Sequence, residues 1–379
     1  MGDRNSVSRL IQGFLNRLRR AKQAQIDLGG AAAGQRTAIL RRAARLIRRN
    51  AGRIEAKNRA DIAGANTSKA FMDRLLLNRE RIEKMVRGVE AVAAQPDPIG
   101  QTIVSRRRPS GLRVDKVRVP LGVVAMIYES RPNVTADAAA LAIRSGNAIV
   151  LRTGREAIRT SRAIAECFQE ALEAERFSRD CLVFVDTPDR RLVTTLLRAQ
   201  GLIDVAIPRG GPGLIREVVR SASIPVIKHY LGVCHTYVDA KADLAMALKL
   251  SYNAKVQRPG VCNAMETLLV HRAIADRFLP AAGRAYEVAG VEIRACSRTF
   301  RILRKTAIAC VRATAEDFGR EFLDLILAVR VVDTLDEGID HINAFGSHHT
   351  DSIITRDPAA ARRFLERVDS ATLFVNAST

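Results

Sequence analysis

The sequence predicts an α/β protein built on parallel sheets with helices on both faces. Three observations point there. From residue 121 onward, short runs rich in Val, Ile and Leu alternate with helix-patterned stretches. The loops after those runs are polar or glycine-rich, as they are where open α/β sheets bind ligands. A chain of 379 residues exceeds one ordinary core and calls for two or three domains.

Residues 6–95 carry repeated 3.6-type apolar spacing and read as helical, opening with an amphipathic helix that includes Val7, Leu10, Ile11, Phe14, Leu15 and Leu18. Pro96, Pro98 and Gly100 end that region. Residues 101–120 read as a β-hairpin turning at Pro109-Ser110-Gly111. Strands then follow at Val123–Ile127, Ala148–Leu151, Cys181–Val185, Val205–Ile207 and Val226–Ile227, with helices over 134–144, 156–174 and 190–199. After Tyr237-Val238 and a helix at 241–252, a second α/β unit places strands at Thr267–Val270, Leu325–Val332, Ser352–Thr355 and Leu373–Val375. Helices near 273–288, 336–343 and 358–366 connect them.

Composition narrows the function. No apolar run reaches the roughly 18 residues of a membrane span. Six cysteines lack CxxC or metal-ligand spacing, which fits free thiols in a reducing cytoplasm. The net charge is +21, with ten lysines against 51 arginines. Those arginines are spread along the chain, many on polar helix faces such as Arg41, Arg42, Arg45, Arg48 and Arg49. Aromatics are only 4% and Trp is absent, so platforms for stacking nucleic-acid bases are poor; nonspecific polyanion binding remains an expectation.

Four loops carry candidate chemistry. In Tyr128-Glu129-Ser130-Arg131-Pro132-Asn133, Asn133 starts a helix, where it serves either as an N-cap or as an amide donor to an oxyanion. Arg152-Thr153-Gly154-Arg155 follows a strand; its two arginines suit a nucleotide phosphate, or else form a solvated turn. Pro208-Arg209-Gly210-Gly211-Pro212-Gly213 joins a strand to a helix, a place where backbone N–H groups hold phosphate. The fourth, Gln257-Arg258-Pro259-Gly260-Val261-Cys262-Asn263, presents one cysteine beside a strand. Either its thiolate attacks a carbonyl or acyl carbon, or the residue is a buried structural cysteine. Arg258 either lowers the thiol pKa or holds substrate phosphate.

The segment 253–263 resembles the cysteine loop of the γ-glutamyl phosphate reductase family, within the aldehyde dehydrogenase superfamily. The resemblance runs from about residue 35 to the end. It is densest at 119–152, 203–214, 224–239, 251–271 and 321–379. It implies an NADP-binding domain of Rossmann type from residues 1–100 and 121–240, a hairpin oligomerisation arm at 101–120, and a catalytic domain at 241–379. It implies Cys262 as nucleophile and Asn133 as oxyanion donor. NADP would be held by Arg152, Gly154, Arg155, Gly210, Gly211 and Gly213, with Glu321 on the nicotinamide ribose. Arg258, Asn376 and Ser378 would bind substrate. The reaction implied is NADPH-dependent reduction of γ-glutamyl phosphate, supplied by a glutamate kinase, to glutamate-5-semialdehyde in proline biosynthesis, by a homodimer or larger assembly. Hydrolytic members place a Glu before Leu-Gly-Gly; here Tyr230-Leu231-Gly232-Val233 carries no carboxylate, which suits a reductase that keeps water out. Thr153 stands where the family usually has Gly. The family pattern continues past Thr379 with a glycine-rich segment and a strand arm, so a C-terminally shortened chain is expected. A catalytically impaired nucleotide- or RNA-binding protein is the alternative.

Overall fold

The structure is a computed structural model that describes residues 2–64, 69–129, 131–228 and 231–379. Ser130 of the first loop, and His229 and Tyr230 before the second unit, lie outside the described residues. The chain forms two compact units, Met1–His229 and Tyr230–Thr379.

The first unit opens with helices α1 (Gly2–Gly30), α2 (Ala33–Arg49), α3 (Ala51–Ala63), α4 (Lys69–Leu75) and α5 (Arg79–Ala94). The hairpin β1 (Thr102–Arg107) and β2 (Arg113–Val117) follows. Then come β3 (Val123–Tyr128), α6 (Asn133–Arg144), β4 (Ala148–Thr153), α7 (Ile158–Ala174), β5 (Leu182–Phe184), α8 (Arg190–Leu197), β6 (Val205–Arg209) and α9 (Pro212–Ser221). Strands β5-β4-β3-β6 form a sheet in that order, every pair parallel.

Strand periodicity explains how two layers of helix are held. Val123, Ala125 and Ile127 pack on one face with Phe14 and Leu18 of α1 and Leu192 and Leu196 of α8. Tyr128, Ile149 and Leu151 pack on the other face among residues of α2, α5, α6 and α7. Both faces are buried, so the strands read as continuous apolar runs, as parallel strands do. The amphipathic segment at the start of the sequence is thus a working part of this core.

In the second unit β7 (Cys234–Val238), α10 (Leu244–Val256), β8 (Met265–His271), α11 (Arg272–Val288), β9 (Glu292–Ala295), α12 (Ser297–Lys305) and β10 (Val311–Arg312) come first. They are followed by β11 (Ile326–Val332), α13 (Leu335–Phe345), β12 (Thr350–Ile354), α14 (Pro358–Arg367) and β13 (Thr372–Val375). The sheet order is β10-β9-β11-β8-β7-β12-β13, again parallel throughout. Asp243, Thr334 and Asp357 cap α10, α13 and α14 with side-chain oxygens that accept backbone N–H bonds.

Three differences from the sequence reading have local causes. Strand β7 pairs with β8 and β12, so Cys234–Val238, expected with the first unit, belong to the second. Val226 makes only an isolated bridge to Ala206, because Pro225 has no N–H to continue a ladder. The pair β9 and β10 and helix α12 were not legible: β10 has two exposed residues, and β9 alternates charged with apolar positions at the sheet margin.

The hairpin is antiparallel, turns through Gly111 at φ +86°, and is exposed along both strands. Ile103, Val104, Leu112, Val114 and Val117 face solvent on it. Many arginines elsewhere find partners. Arg48 bridges Glu83 and Glu90, and Arg42 and Arg53 reach Glu175 and Glu166 on α7 and its C-terminal end. Among the described residues no helix is long and apolar enough to cross a membrane, and no cluster of His, Cys, Asp and Glu could hold a metal ion.

Candidate functional site

Two groups of residues emerge, one in each unit. In the first unit they lie at the carboxyl ends of β3, β4, β5 and β6. A cavity of about 510 Å³ opens there, bordered by Arg152, Gly154, Arg155, Glu129 and Glu156. Three of the residues expected to bind cofactor are therefore brought together. The Arg152 Nε is buried without a hydrogen-bond partner, and burial lowers the pKa of that guanidinium. A buried cationic donor left open in this way fits an anionic ligand. Thr153 causes no disruption where the family has Gly. It is the last residue of β4, pairs with Tyr128, and is buried.

The glycine-rich loop is occupied by the protein itself. Gly211 is the N-cap of α9, and its N–H donates to Glu129 Oε2 at 3.1 Å. A Cβ on Gly210 would come within 2.6 Å of that same oxygen, so glycine is required by close approach. A carboxylate thus sits where a phosphate was expected, and it obeys the same helix-terminus electrostatics. Gly213 is the second residue of α9 and is exposed. Asn133 is the first residue of α6 and Pro132 the N-cap, so the capping role does not hold. The Asn133 amide donates instead to Asp137 Oδ2 at 3.1 Å, and burial raises the Asp137 pKa.

In the second unit the loop between α10 and β8 carries Cys262. Two turns shape it, with Val261 N–H donating to Arg258 O and Ala264 N–H to Val261 O. The Cys262 backbone is gripped from below. A Cβ on Gly232 would lie 1.9 Å from the Cys262 carbonyl oxygen, so only glycine fits there. Gly232 N–H donates to Glu321 Oε1 at 2.9 Å, and the Cys234 thiol donates to Cys262 O at 3.3 Å. Glu321, expected on the cofactor ribose, therefore has one oxygen committed to the loop beneath the cysteine.

The two ends of the Cys262 loop are joined by an ion pair that the sequence reading missed. Lys255 Nζ lies 2.5 Å from Glu266 Oε2, and both side chains are 0% exposed. The second oxygen, Glu266 Oε1, accepts from Leu323 N–H at 3.1 Å. One carboxylate thus ties the end of α10, the start of β8 and the Glu321 segment together. Burial favours the neutral form of each partner. It pushes the Glu266 pKa up to about 7 and lowers that of Lys255. A Lys in a helix and a Glu in a strand gave no sign of this, since such residues are usually solvated.

The six thiols are free and fall into distinct environments. Burial raises Cys167 to about 11, Cys181 to about 12, and Cys234 further still. Cys310 is also raised by burial. Cys296 caps α12, with its sulfur engaged by Thr299 and by Val331 N–H. Cys262 is half-buried, and its thiol forms no hydrogen bond among the described residues. His235 is a core histidine, fully buried with Nδ1 3.1 Å from Asp351 Oδ1.

The remaining expected residues separate. Arg258 is exposed on the cysteine loop. Asn376 adopts φ +54°, and its amide spends both ends on the Thr355 backbone, accepting from N–H at 3.0 Å and donating to O at 2.9 Å. It extends the β12 edge, with one amide N–H uncommitted among these bonds. Ser378 is half-buried next to Thr379, whose carbonyl accepts from Asn263 Nδ2 at 2.7 Å. That bond brings the terminal segment against the residue after Cys262.

Residues 15–294 match the sequence profile of the aldehyde dehydrogenase family. A γ-glutamyl phosphate reductase from Anaeromyxobacter sp. strain Fw109-5 is 48% identical over 97% of this chain and 88% of its own length. One from Carboxydothermus hydrogenoformans is 48% identical over 96% of this chain and 88% of its own. The crystal structure of γ-glutamyl phosphate reductase from Thermotoga maritima superposes with a TM-score of 0.91 at 38% identity, covering 96% of this chain and 88% of that one. An acetylating aldehyde dehydrogenase from Geobacillus thermoglucosidasius shares the fold, at a TM-score of 0.67 and 21% identity over 97% and 87% of the two chains. The chain belongs to the aldehyde dehydrogenase family, in its γ-glutamyl phosphate reductase branch.

Two outcomes test the grip on Cys262. Gly232→Ala forces the Cys262 peptide to move and is expected to lower kcat at least about tenfold, because misplacing a nucleophile is costly. Unchanged kcat would show that the contact relaxes freely. Glu266 binds its proton more tightly folded than unfolded. Its contribution to stability is therefore present below about pH 4.5 and lost as pH rises through about 7. Glu266→Gln is expected to flatten the fall in urea-unfolding free energy between those pH values; an unchanged slope refutes the assignment.

Proposed function

We propose that this chain reduces γ-glutamyl phosphate to glutamate-5-semialdehyde and phosphate, using NADPH, as a step in proline biosynthesis. The observation that carries the reading is Cys262. Its thiol is half-buried and without a hydrogen bond among the described residues, and its carbonyl is fixed by Gly232 and Cys234. It does this in a chain 48% identical along nearly its whole length to a γ-glutamyl phosphate reductase.

The Cys262 thiolate attacks the acyl carbon of the acyl phosphate. The C–O bond to phosphate breaks, inorganic phosphate leaves, and a thioester remains on Cys262. NADPH, when bound, supplies the hydride that reduces this thioester. The C–S bond then breaks, returning the thiolate and releasing the aldehyde. Holding the Cys262 peptide rigid keeps the sulfur aligned through both displacements. The Asn133 amide is assigned to the oxyanion on family resemblance. The run Leu231-Gly232-Val233 brings no carboxylate to activate water, so the thioester is reserved for hydride. Arg258, exposed on the cysteine loop, and Ser378 are assigned to substrate phosphate and carboxylate.

The first unit is assigned to NADP. Arg152 and Arg155 would take the adenosine phosphate, with Gly154 giving room at the strand end. Gly210, Gly211 and Gly213 would meet the pyrophosphate at the start of α9, displacing Glu129 from the Gly211 N–H. The free oxygen of Glu321 would reach the nicotinamide ribose. The substrate is a reactive acyl phosphate, so a glutamate kinase supplying it is a natural partner, and the cytoplasm is the compartment where both reside.

The exposed apolar hairpin supports self-association, since an isolated two-stranded hairpin is barely stable in water. Sedimentation is expected to find a dimer or larger species, shifted toward monomer by Val114→Asp. A wild-type protein that sediments as a pure monomer would overturn this. The chemistry is tested by NADP⁺ reduction with glutamate-5-semialdehyde. Activity should require inorganic phosphate and should vanish in Cys262→Ala. Turnover that persists without phosphate or without the Cys262 sulfur sinks the reading.

A further inference from the structure

The cavity at the carboxyl ends of β3, β4 and β5 holds a cation that no expectation covered. Arg190 opens α8 and borders the cavity with Arg152 and Arg155, which come from the far end of a different loop. Its neighbour Arg191 is fully engaged, with Nη2 at 2.7 Å and Nε at 3.0 Å from the Asp189 carboxylate. That carboxylate also caps the helix by accepting from Arg191 N–H. Asp189 is thus spent, and the Arg190 guanidinium makes no hydrogen bond or ion pair among the described residues.

The cavity is lined by more cationic than anionic side chains. Three guanidiniums share it with two carboxylates, Glu129 and Glu156. Glu129 is turned to the Gly211 N–H, and Glu156 lies against Gly154, where a Cβ would meet its oxygen at 2.0 Å. Burial most disfavours the charge on Arg152; Glu156 and Glu129 favour it, and Arg190 and Arg155 disfavour it. Arg152 Nε is buried with its donor unsatisfied. A cluster of fork-shaped donors with surplus positive charge matches a phosphomonoester, which carries nearly two negative charges and three acceptor oxygens. Phe71, on the same cavity wall, adds an apolar ring of the kind a purine packs against.

We propose that Arg190 is a specificity-determining residue that, with Arg152 and Arg155, binds the 2′-phosphate of the adenosine half of NADP and so selects it over NAD. This rests on the assignment of the first unit to a nicotinamide cofactor. A ligand lacking the 2′-phosphate leaves the Arg190 guanidinium and the Arg152 Nε without an acceptor, whereas a phosphomonoester supplies oxygens to both. The preference is therefore expected to come from these new charge-assisted hydrogen bonds.

Binding to the full chain, measured calorimetrically without turnover, tests this. The probes are NADP⁺, NAD⁺, adenosine 2′,5′-bisphosphate and adenosine 5′-monophosphate. Wild-type protein should favour the 2′-phosphorylated member of each pair. Arg190→Ala should weaken NADP⁺ and the bisphosphate by about tenfold or more, the scale of a charge-assisted contact, and leave NAD⁺ and the monophosphate within about twofold. Arg190→Lys, which keeps the charge and loses the fork, should fall between. The proposal is overturned if Arg190→Ala keeps the wild-type preference, or if it weakens both members of a pair equally. It is also overturned, with the cofactor assignment left standing, if wild-type protein binds NADP⁺ and NAD⁺ alike. Failure to bind any of the four by a protein with a cooperative thermal transition would remove the cofactor assignment itself, and this inference with it.

Discussion

The geometry of the cysteine loop depends on one buried ion pair. A loop of eight residues between a helix and a strand has many conformations, and closing it costs entropy. Lys255 and Glu266 stand at its two ends and meet with neither side chain touching water. Burying two charges is expensive, and replacing such a pair by apolar residues is often neutral for stability. What the pair does supply is position. Its second oxygen holds the Leu323 N–H, two residues beyond Glu321, and Glu321 in turn holds Gly232 against the Cys262 peptide. A nucleophile on a loop thereby gains the rigidity of three packed segments.

The parallel sheets explain why the chain organises chemistry at strand ends. Both faces of each sheet are covered, so side chains inside the strands are committed to packing. Loops at the carboxyl ends are what remains for binding. In the first unit these loops gather arginines and glycines, and in the second they gather a thiol and its backbone supports. The hairpin, which packs into neither sheet, keeps its apolar residues in solvent.

Much of this was legible because it rests on local patterns. The strands from Val123 to Val205 and the helices between them follow from uninterrupted apolar runs alternating with helical spacing. Cys262, Arg152 and Arg155 stood out because of the loops they occupy. The sequence did not disclose contacts between distant segments. Glu129 reaching Gly211, Glu266 meeting Lys255 and Leu323, and Arg190 joining the arginines of another loop are all long-range facts. The bonds of the Asn376 amide to the Thr355 backbone are likewise long-range and left no sign in the sequence. The second-unit margin at β9 and β10 was obscured by alternating charge and short length.

The carboxylate of Glu129 on the Gly211 N–H makes anion binding at α9 an exchange and not an addition. The helix end is satisfied before any ligand arrives, so an incoming anion gains only the difference between its own bond and the one it evicts. Glu129 already borders the cavity of Arg152 and favours the charge of that guanidinium. The two anion positions therefore share one side chain, and whatever takes its place on the helix also changes what Arg152 faces.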